Sequence, residues 1–326
     1  MNESAVVRAI RGFKTAIAAN EADEVRELAT RYLDVEQALE ANISALSEQV
    51  NALYAAGEDP TWSQLYRLER FQRLEAQLVA ELARFNGWAA QIITEQQLKL
   101  GVQAIDDAIV VLEMSKPGLG LAVNMPHDAV QAMVGLARNG APLGDLLAKS
   151  YGPARTAIAK ELVRSVALGR NPKVTAAAIR RATAIPLDSA LTIARTEQMR
   201  VYNAASLGTY RAMGVTQYIR VCDLSERTCI ACLAAAGEIL SSEAELSDHP
   251  RGRCTVAPAG LGLDWQTMQS SESWFNRQPE SVQLSIAGRG RYDAYKSGAV
   301  KWSELTTHTS DPVWGGSLMP TPVSAL

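Results

Sequence analysis

Aromatic side chains are scarce in this sequence, at 6% of 326 residues, and cysteine is scarcer still, with four. Few aromatics beside about 50 alanines disfavour a β-sandwich and favour helix. Four cysteines cannot staple a chain of this length into a disulfide scaffold, and they suit a reducing compartment. No run of about 18 apolar residues occurs, so no membrane-spanning helix is expected. The first residues mix Arg8, Arg11 and Lys14 among apolar side chains and lack the apolar core of a signal peptide. Neither sign of charge dominates: 32 Lys and Arg stand against 35 Asp and Glu, a formal net charge of −3. That average argues against a dedicated nucleic-acid coat. With 47% hydrophobic and 21% charged residues the chain has the make-up of a folded protein, long enough for about two domains.

What the sequence does have, first, is helical periodicity. Apolar residues fall at Val25, Leu28, Tyr32, Val35, Leu39, Leu46 and Leu53 in steps of three and four, with Ile43 and Val50 beside them. This heptad-like stripe predicts a long helix. Gly57 stops it, and Asp59-Pro60 starts another by the preference for proline in a first turn. A second stripe runs Leu65, Leu68, Phe71, Leu74, Leu78, Leu82, Phe85 and Ile92. It continues through Leu98, Val102, Ile105 and Ile109 to the break at Lys116-Pro117-Gly118. Residues 1–118 therefore read as a net-acidic antiparallel helical arm, able to dock on a partner or on a second copy. His127, after Pro126, falls near a helix start and carries no site.

Residues 119–215 change character. Breaks at Gly140, Pro142, Gly152-Pro153, Gly169, Asn171-Pro172 and Pro186 cut the first part into short helices, and Leu187 to Met213 reads as one long helix. Arg155, Lys160, Arg164, Arg170, Lys173, Arg180, Arg181, Arg195, Arg200 and Arg211 face only three acids between Tyr151 and Arg211. The first seven are candidates for a phosphate backbone, or for an acidic protein partner, although no aromatics interleave them. Within the long helix Glu197 is spaced to pair with Arg200 three residues on.

Residues 216–260 carry the strongest pattern. A strand-like stretch from Thr216 to Cys222 leads to Cys229-Ile-Ala-Cys232 and a turn and short strand at Ala236–Leu240. His249-Pro250-Arg251-Gly252-Arg253-Cys254 follows. The spacing C-x2-C-x16-H-x4-C puts two thiolates on one knuckle and a His/Cys pair on a second loop, the donor set of a closed tetrahedral zinc site. Four protein ligands leave no open position, so such an ion is structural. Free thiols, or one disulfide among them, are the competing reading. A zinc deaminase is excluded by the missing His-x-Glu element. A thioredoxin-like pair is disfavoured, since Cys229-Ile-Ala-Cys232 opens no helix within a recognisable βαβ unit. Cys222 reads as a small core residue.

The stretch from about Pro142 to Pro258 resembles the phage head morphogenesis family, the Mu F-like or SPP1 gp7-like minor head proteins. The resemblance rests on Gly169-Arg170-Asn171-Pro172, Ile193-Ala194-Arg195-Thr196-Glu197, Asp223, Arg227-Thr228-Cys229 with Cys232, Gly237, and His249-Pro250 with Arg253-Cys254. It covers about a third of the chain. The family often reads His-Pro-Asn-Cys-Arg-Cys, and here Gly252 stands at the first of those late cysteines. Arg195, Glu197, Asp223 and Arg253 are thereby marked as structural motif residues. The resemblance implies a non-enzymatic minor capsid protein that sits with portal and capsid proteins and acts in head assembly, DNA packaging or genome delivery. It implies a place in the virion head or portal vicinity, after assembly in the host cytoplasm. A zinc-knuckle protein binding nucleic acid is the alternative, and a toxin-type enzyme ranks last for want of a catalytic constellation.

In residues 261–326, Trp265, Trp274-Phe275, Val282, Leu284 and Ile286 make a compact apolar segment. Gly288 to Gly298 reads as a loop and a short helix packed by Trp302 and Leu305. After Thr306 the Ser, Thr, Pro and Gly content predicts an extended tail, laid on a partner through Trp314 and Leu318. The expected architecture is mainly α. It comprises a long N-terminal helical hairpin arm, a basic helical middle, a small α+β zinc-knuckle-like module and an extended C-terminal tail.

Overall fold

The chain is mainly helical with small antiparallel sheets, as its alanine content and scarce aromatics lead one to expect. The computed structural model describes residues 5–58, 61–115, 127–167, 174, 177–178, 181, 185–259, 270–311 and 313–326. The Asp59-Pro60 start, the Lys116–Gly118 break, the Gly169–Pro172 motif, Lys173, Arg180 and Trp265 lie outside these residues.

Two helices dominate, α1 (Ala5–Ala55) and α3 (Glu69–Ser115), with α2 (Trp62–Tyr66) between them. Helix α1 ends before Gly57, whose φ of 80° is left-handed backbone that favours glycine. Helix α2 is begun by Thr61, which with Gln64 forms a reciprocal capping box. The buried positions of α1 run Val6, Ile10, Lys14, Ile17, Glu21, Glu24, Leu28, Tyr32, Val35, Leu39, Ile43, Leu46 and Val50. That is a period of about 3.7, nearer an 11-residue repeat than a heptad. On α3 the same drift moves the seam from Phe85 to Ala89, Ile93, Leu100 and Ala104, and leaves Leu98 39% exposed. The expected continuation misses at Leu98, because a 3.5-residue count falls about 20° behind a straight helix per heptad, and meets the buried side again at Ile105.

The remaining helices are α4 (His127–Gln131), α5 (Leu143–Ala148), α6 (Tyr151–Ala167) and α7 (Ile185–Ala212). Gly152-Pro153 and Pro186 do not break α6 and α7. Each proline sits in a first turn, where its missing N–H has no helical partner to lose.

The chain divides into two compact units that cut it differently from the four consecutive regions read in the sequence. One comprises Glu21–Thr94 and Ala141–Ala194. There α1 and α3 run antiparallel: Tyr32 meets Phe85 edge-on, Asn42 donates to Gln77, and Arg70 donates to the Ala45 carbonyl at 2.8 Å. Asn86 donates to the Tyr151 hydroxyl at 2.6 Å and ties α6 to α3.

The other unit comprises Met1–Asn20, Glu95–Gly140 and Arg195–Leu326. Its sheet has strand order β2-β1-β3, with β1 (Gln217–Val221) central, antiparallel to β2 (Ile239–Ser241) and to β3 (Thr255–Pro258). Ile219 pairs Ile239 on one side and Ala257 on the other. Helix α8 (Ile230–Ala235) lies between β1 and β2 in sequence. Helices α9 (Ser271–Asn276), α10 (Glu280–Ala287) and α11 (Arg289–Lys296) follow, held by an aromatic group of Phe275, Tyr295 and Trp302.

The extended tail is not found. Thr306–Asp311 (β4) and Gly315–Pro320 (β5) form an antiparallel hairpin whose Leu318 is fully buried against Ala231 and Ala235 of α8. Composition misled here. The turn is closed by Asp311, whose carboxylate accepts from the backbone of Val313 and Trp314, and Leu318 is covered by the chain itself rather than by a partner.

Candidate metal centre

The centre is assembled from the two loops that flank the small sheet. After β1 the chain turns at Asp223, whose carbonyl accepts from the Thr228 hydroxyl at 2.8 Å. Cys229 then caps α8: its φ and ψ of −68° and 156° are extended, and its Sγ accepts from the Cys232 N–H at 3.4 Å. One helical turn separates the two cysteines, so both thiols face one side. The Cys-x-x-Cys pair opens a short helix, but the sheet beside it is antiparallel, so among the described residues no βαβ unit surrounds it.

The second loop, between β2 and β3, is organised by Asp248, a residue the spacing argument passed over. One carboxylate oxygen accepts from the His249 N–H at 2.8 Å, the other from the Cys254 N–H at 3.1 Å. A single side chain thus sets the backbone of both late donors. Gly252 is required by the same group, since a Cβ there would lie 2.1 Å from the Asp248 carboxylate. The space that a side chain at Gly252 would need is filled by the Asp248 carboxylate. Its adjacency to His249 was the available signal.

His249 Nδ1 lies 2.8 Å from the Pro250 carbonyl, which can only accept, so Nδ1 carries a proton. Nε2 faces the thiols, 3.1 Å from Cys229 Sγ and 3.3 Å from Cys232 Sγ. Tetrahedral zinc with ordinary bond lengths would hold a sulfur and a nitrogen about 3.6 Å apart, within a few tenths of an ångström of these separations. The donor atoms of Cys229, Cys232 and His249 lie within 4.8 Å of one another, as do those of Cys232, Asp248 and Cys254. Cys232 belongs to both groups. All four sequence-predicted donors and Asp248 are therefore close enough to bind a metal ion.

The protons in the cluster are unevenly held: Cys229 is ready to ligate, whereas Cys232 and His249 would give up a proton to an incoming ion. The Cys229 thiol is drawn down to about 4, first by its hydrogen bond with Cys232 and then by His249. The imidazole is pushed up to about 9, chiefly by the Cys229 contact. The Cys232 thiol, hydrogen-bonded to Cys229 and Cys254 and buried, is pushed far up. Cys229 is the ready thiolate, the form that ligates. Cys222 is buried, its thiol raised by that burial, and it belongs to the core as expected.

The motif helix packs against this loop. Thr196 Oγ1 accepts from the Arg251 N–H at 3.0 Å, and Asn203 donates to the Cys254 carbonyl at 3.0 Å. Glu197 is buried and pairs with Arg200 at 2.6 Å, the predicted three-residue pair, while its other oxygen accepts from the Arg138 N–H. Asp223 turns away from the cluster to Lys14, 3.3 Å distant. Arg195 and Arg253 are half-buried. Beside His249 a cavity of about 460 Å³ is lined by Thr196, Glu197, Arg200, Asn203, Asp248 and Trp314, among others.

The described basic residues between Tyr151 and Arg211 divide between engaged and exposed positions. Arg200 donates to the carbonyls of Met133 and Leu136, and Arg211 reaches Glu243, so both are engaged inside the unit. Lys160, Arg164 and Arg181 are exposed, with Arg164 3.8 Å from Glu161. Arg155 lies on α6, and Arg170, Lys173 and Arg180 fall outside the described residues. Among the described residues no helix is long and apolar enough to cross a membrane. No protein-family model matches the chain, and neither a curated protein nor a solved structure matches it.

Proposed function

We propose that this protein is a non-enzymatic minor capsid component of a tailed phage or prophage, held by portal and capsid proteins and acting in head assembly, packaging or genome delivery. The observation that carries the reading is convergence. Motif residues from Thr196 to Cys254, scattered over some sixty positions, meet at one centre through the Arg251–Thr196 and Asn203–Cys254 hydrogen bonds. In this reading Cys229, Cys232, His249 and Cys254 hold a structural zinc ion, and the centre is the knuckle of the expected module. The donor chemistry supports it: three sulfurs and one imidazole nitrogen suit zinc, and no ligand position is left for a reacting water. Bound there, the ion would cross-link the start of α8 to the loop before β3.

The paired helices α1 and α3 serve as the arm that docks on the portal, on capsid protein or on a second copy. Exposed Lys160, Arg164 and Arg181 are the cations proposed to meet genomic DNA. Mass spectrometry of purified particles tests the main reading. The protein should be found in heads, its gene beside those for portal and capsid; particles that lack it would overturn the proposal. DNA binding that Lys160→Ala and Arg164→Ala leave unchanged, at any salt, would remove the DNA contact. Elemental analysis of purified protein, repeated on Cys232→Ser, tests the zinc.

A further inference from the structure

Arg220 is the largest fully buried side chain among the described residues, and it is charged. It sits on the central strand β1, where its backbone pairs with both flanks and lacks no partner: its N–H donates to the Glu238 carbonyl, and its carbonyl accepts from Gly237. Within the strand, an apolar residue would have filled the position. The guanidinium is ion-paired with Glu238 at 3.3 Å, and that carboxylate is one-third exposed. Nη1 donates to the Ser247 carbonyl at 2.8 Å, which brings the head group against the residue preceding Asp248. Nη2 is buried and has no hydrogen-bond partner among the described residues. A wholly buried cation so thinly satisfied costs several kcal/mol unless further negative charge lies close by.

That charge is at the cluster. Arg220 bonds the carbonyl of Ser247, the next residue is Asp248, and the Asp248 carboxylate holds the Cys254 N–H, so a short chain of bonds joins the guanidinium to a proposed thiolate ligand. A neutral Cys254 thiol would supply none, whereas a metal-bound Cys254 is a thiolate. Three thiolates and one neutral imidazole around a divalent ion leave one net negative charge. The centre so loaded carries negative charge within the protein, and Arg220 is a fully buried cation bonded to the loop that holds two of its ligands.

We propose that Arg220 is the counter-charge of the metal centre, a positioning residue that offsets the net negative charge of the thiolate donors so that the loop can close on a divalent cation. Asp248 acts in the same shell, through the N–H groups of His249 and Cys254. The inference rests on the zinc reading above and goes beyond it by assigning the ion's charge balance to a residue in no motif.

The test uses the full chain with zinc and cobalt(II) as probes. Wild-type protein should bind one equivalent, with the sulfur-to-cobalt charge-transfer bands of a thiolate site. Arg220→Met should keep the cobalt band positions, because the ligands are unchanged, and weaken zinc by about ten- to a hundredfold in a competition with a chromophoric chelator. Arg220→Lys should recover part of that loss. The metal-free form of Arg220→Met should be no less heat-stable than metal-free wild type, since an uncompensated buried cation has gone. Zinc affinity unchanged in Arg220→Met, or equal destabilisation with and without metal, overturns the counter-charge role while leaving the zinc reading intact. Wild-type protein with no thiolate bands and no bound zinc overturns both. If Arg220→Met does not fold, Arg220→Lys decides by the same competition: affinity lost in full would show that geometry rather than charge is what matters.

Discussion

The two compact units are stabilised in contrasting ways. In the unit of Glu21–Thr94 and Ala141–Ala194, aliphatic and aromatic seams of α1 and α3 do the work, and the ion pairs, such as Arg26 with Asp23, are exposed and contribute little. In the other unit the polar groups are buried. Glu197 holds the Arg138 N–H and Arg200, Asp248 holds the His249 and Cys254 backbones, Arg220 lies inside the sheet, and Tyr202 donates to Asp107. The lesson is about where damage concentrates. A seam spreads stability over many similar side chains, whereas a buried polar centre fails when one member is removed.

Predictions follow from that contrast in order of size. Cys232→Ser removes the one thiol shared by both donor groups. With metal binding linked to folding by on the order of 10 kcal/mol, the variant should lose its zinc and the tertiary structure of its unit. Helix content from α1 and α3, followed by circular dichroism, should largely survive; a variant that keeps stoichiometric zinc contradicts the centre. Leu39→Ala, in the seam, should cost about 2–5 kcal/mol and lower the melting temperature without changing zinc content. If zinc is lost as well, the seam and the centre do not fail separately.

Glu197→Ala leaves the Arg138 N–H and Arg200 without their carboxylate, at about 2 kcal/mol, reduced from the buried-pair value because Arg200 is partly exposed. Hydrogen exchange at Arg138 should speed up most; protection unchanged there would refute the link. The smallest effect has the opposite sign. Burial holds the Asp107 carboxyl above its ordinary range, against the opposing hydrogen bond from Tyr202. A raised folded value means that the native state binds this proton more tightly than the unfolded chain does. Its ionised form therefore costs stability that is absent in acid and complete above the folded value. Asp107→Asn should melt higher than wild type at about pH 7, with the gap closing toward about pH 4. A gap that widens in acid would reverse the sign and the argument.

Much of this was legible in the linear order of residues, and the failures have a common cause. Helix α1, helix α7, strand β1 and the Cys229, Cys232, His249, Cys254 spacing can be read locally, because each depends on neighbours a few residues away. The hairpin of Thr306–Pro320 was missed because its composition is that of a loop, and only burial of Leu318 against α8 reveals its packing. The seam beyond Phe85 was misplaced because a small error in period accumulates along 47 residues.

The scarcity noted at the outset remains informative. Few aromatics and abundant alanine determined a mainly helical chain, and three of the four cysteines with one histidine determined a single candidate centre. Tertiary structure alone decided that Asp248 sets the loop, that Gly252 must lack a side chain and that Arg220 lies buried against Ser247 of the same loop. Those facts depend on residues from β1, α8 and the loop before β3 meeting in space. No local pattern records which charge will be buried beside which, because burial belongs to the packed whole and not to the segment.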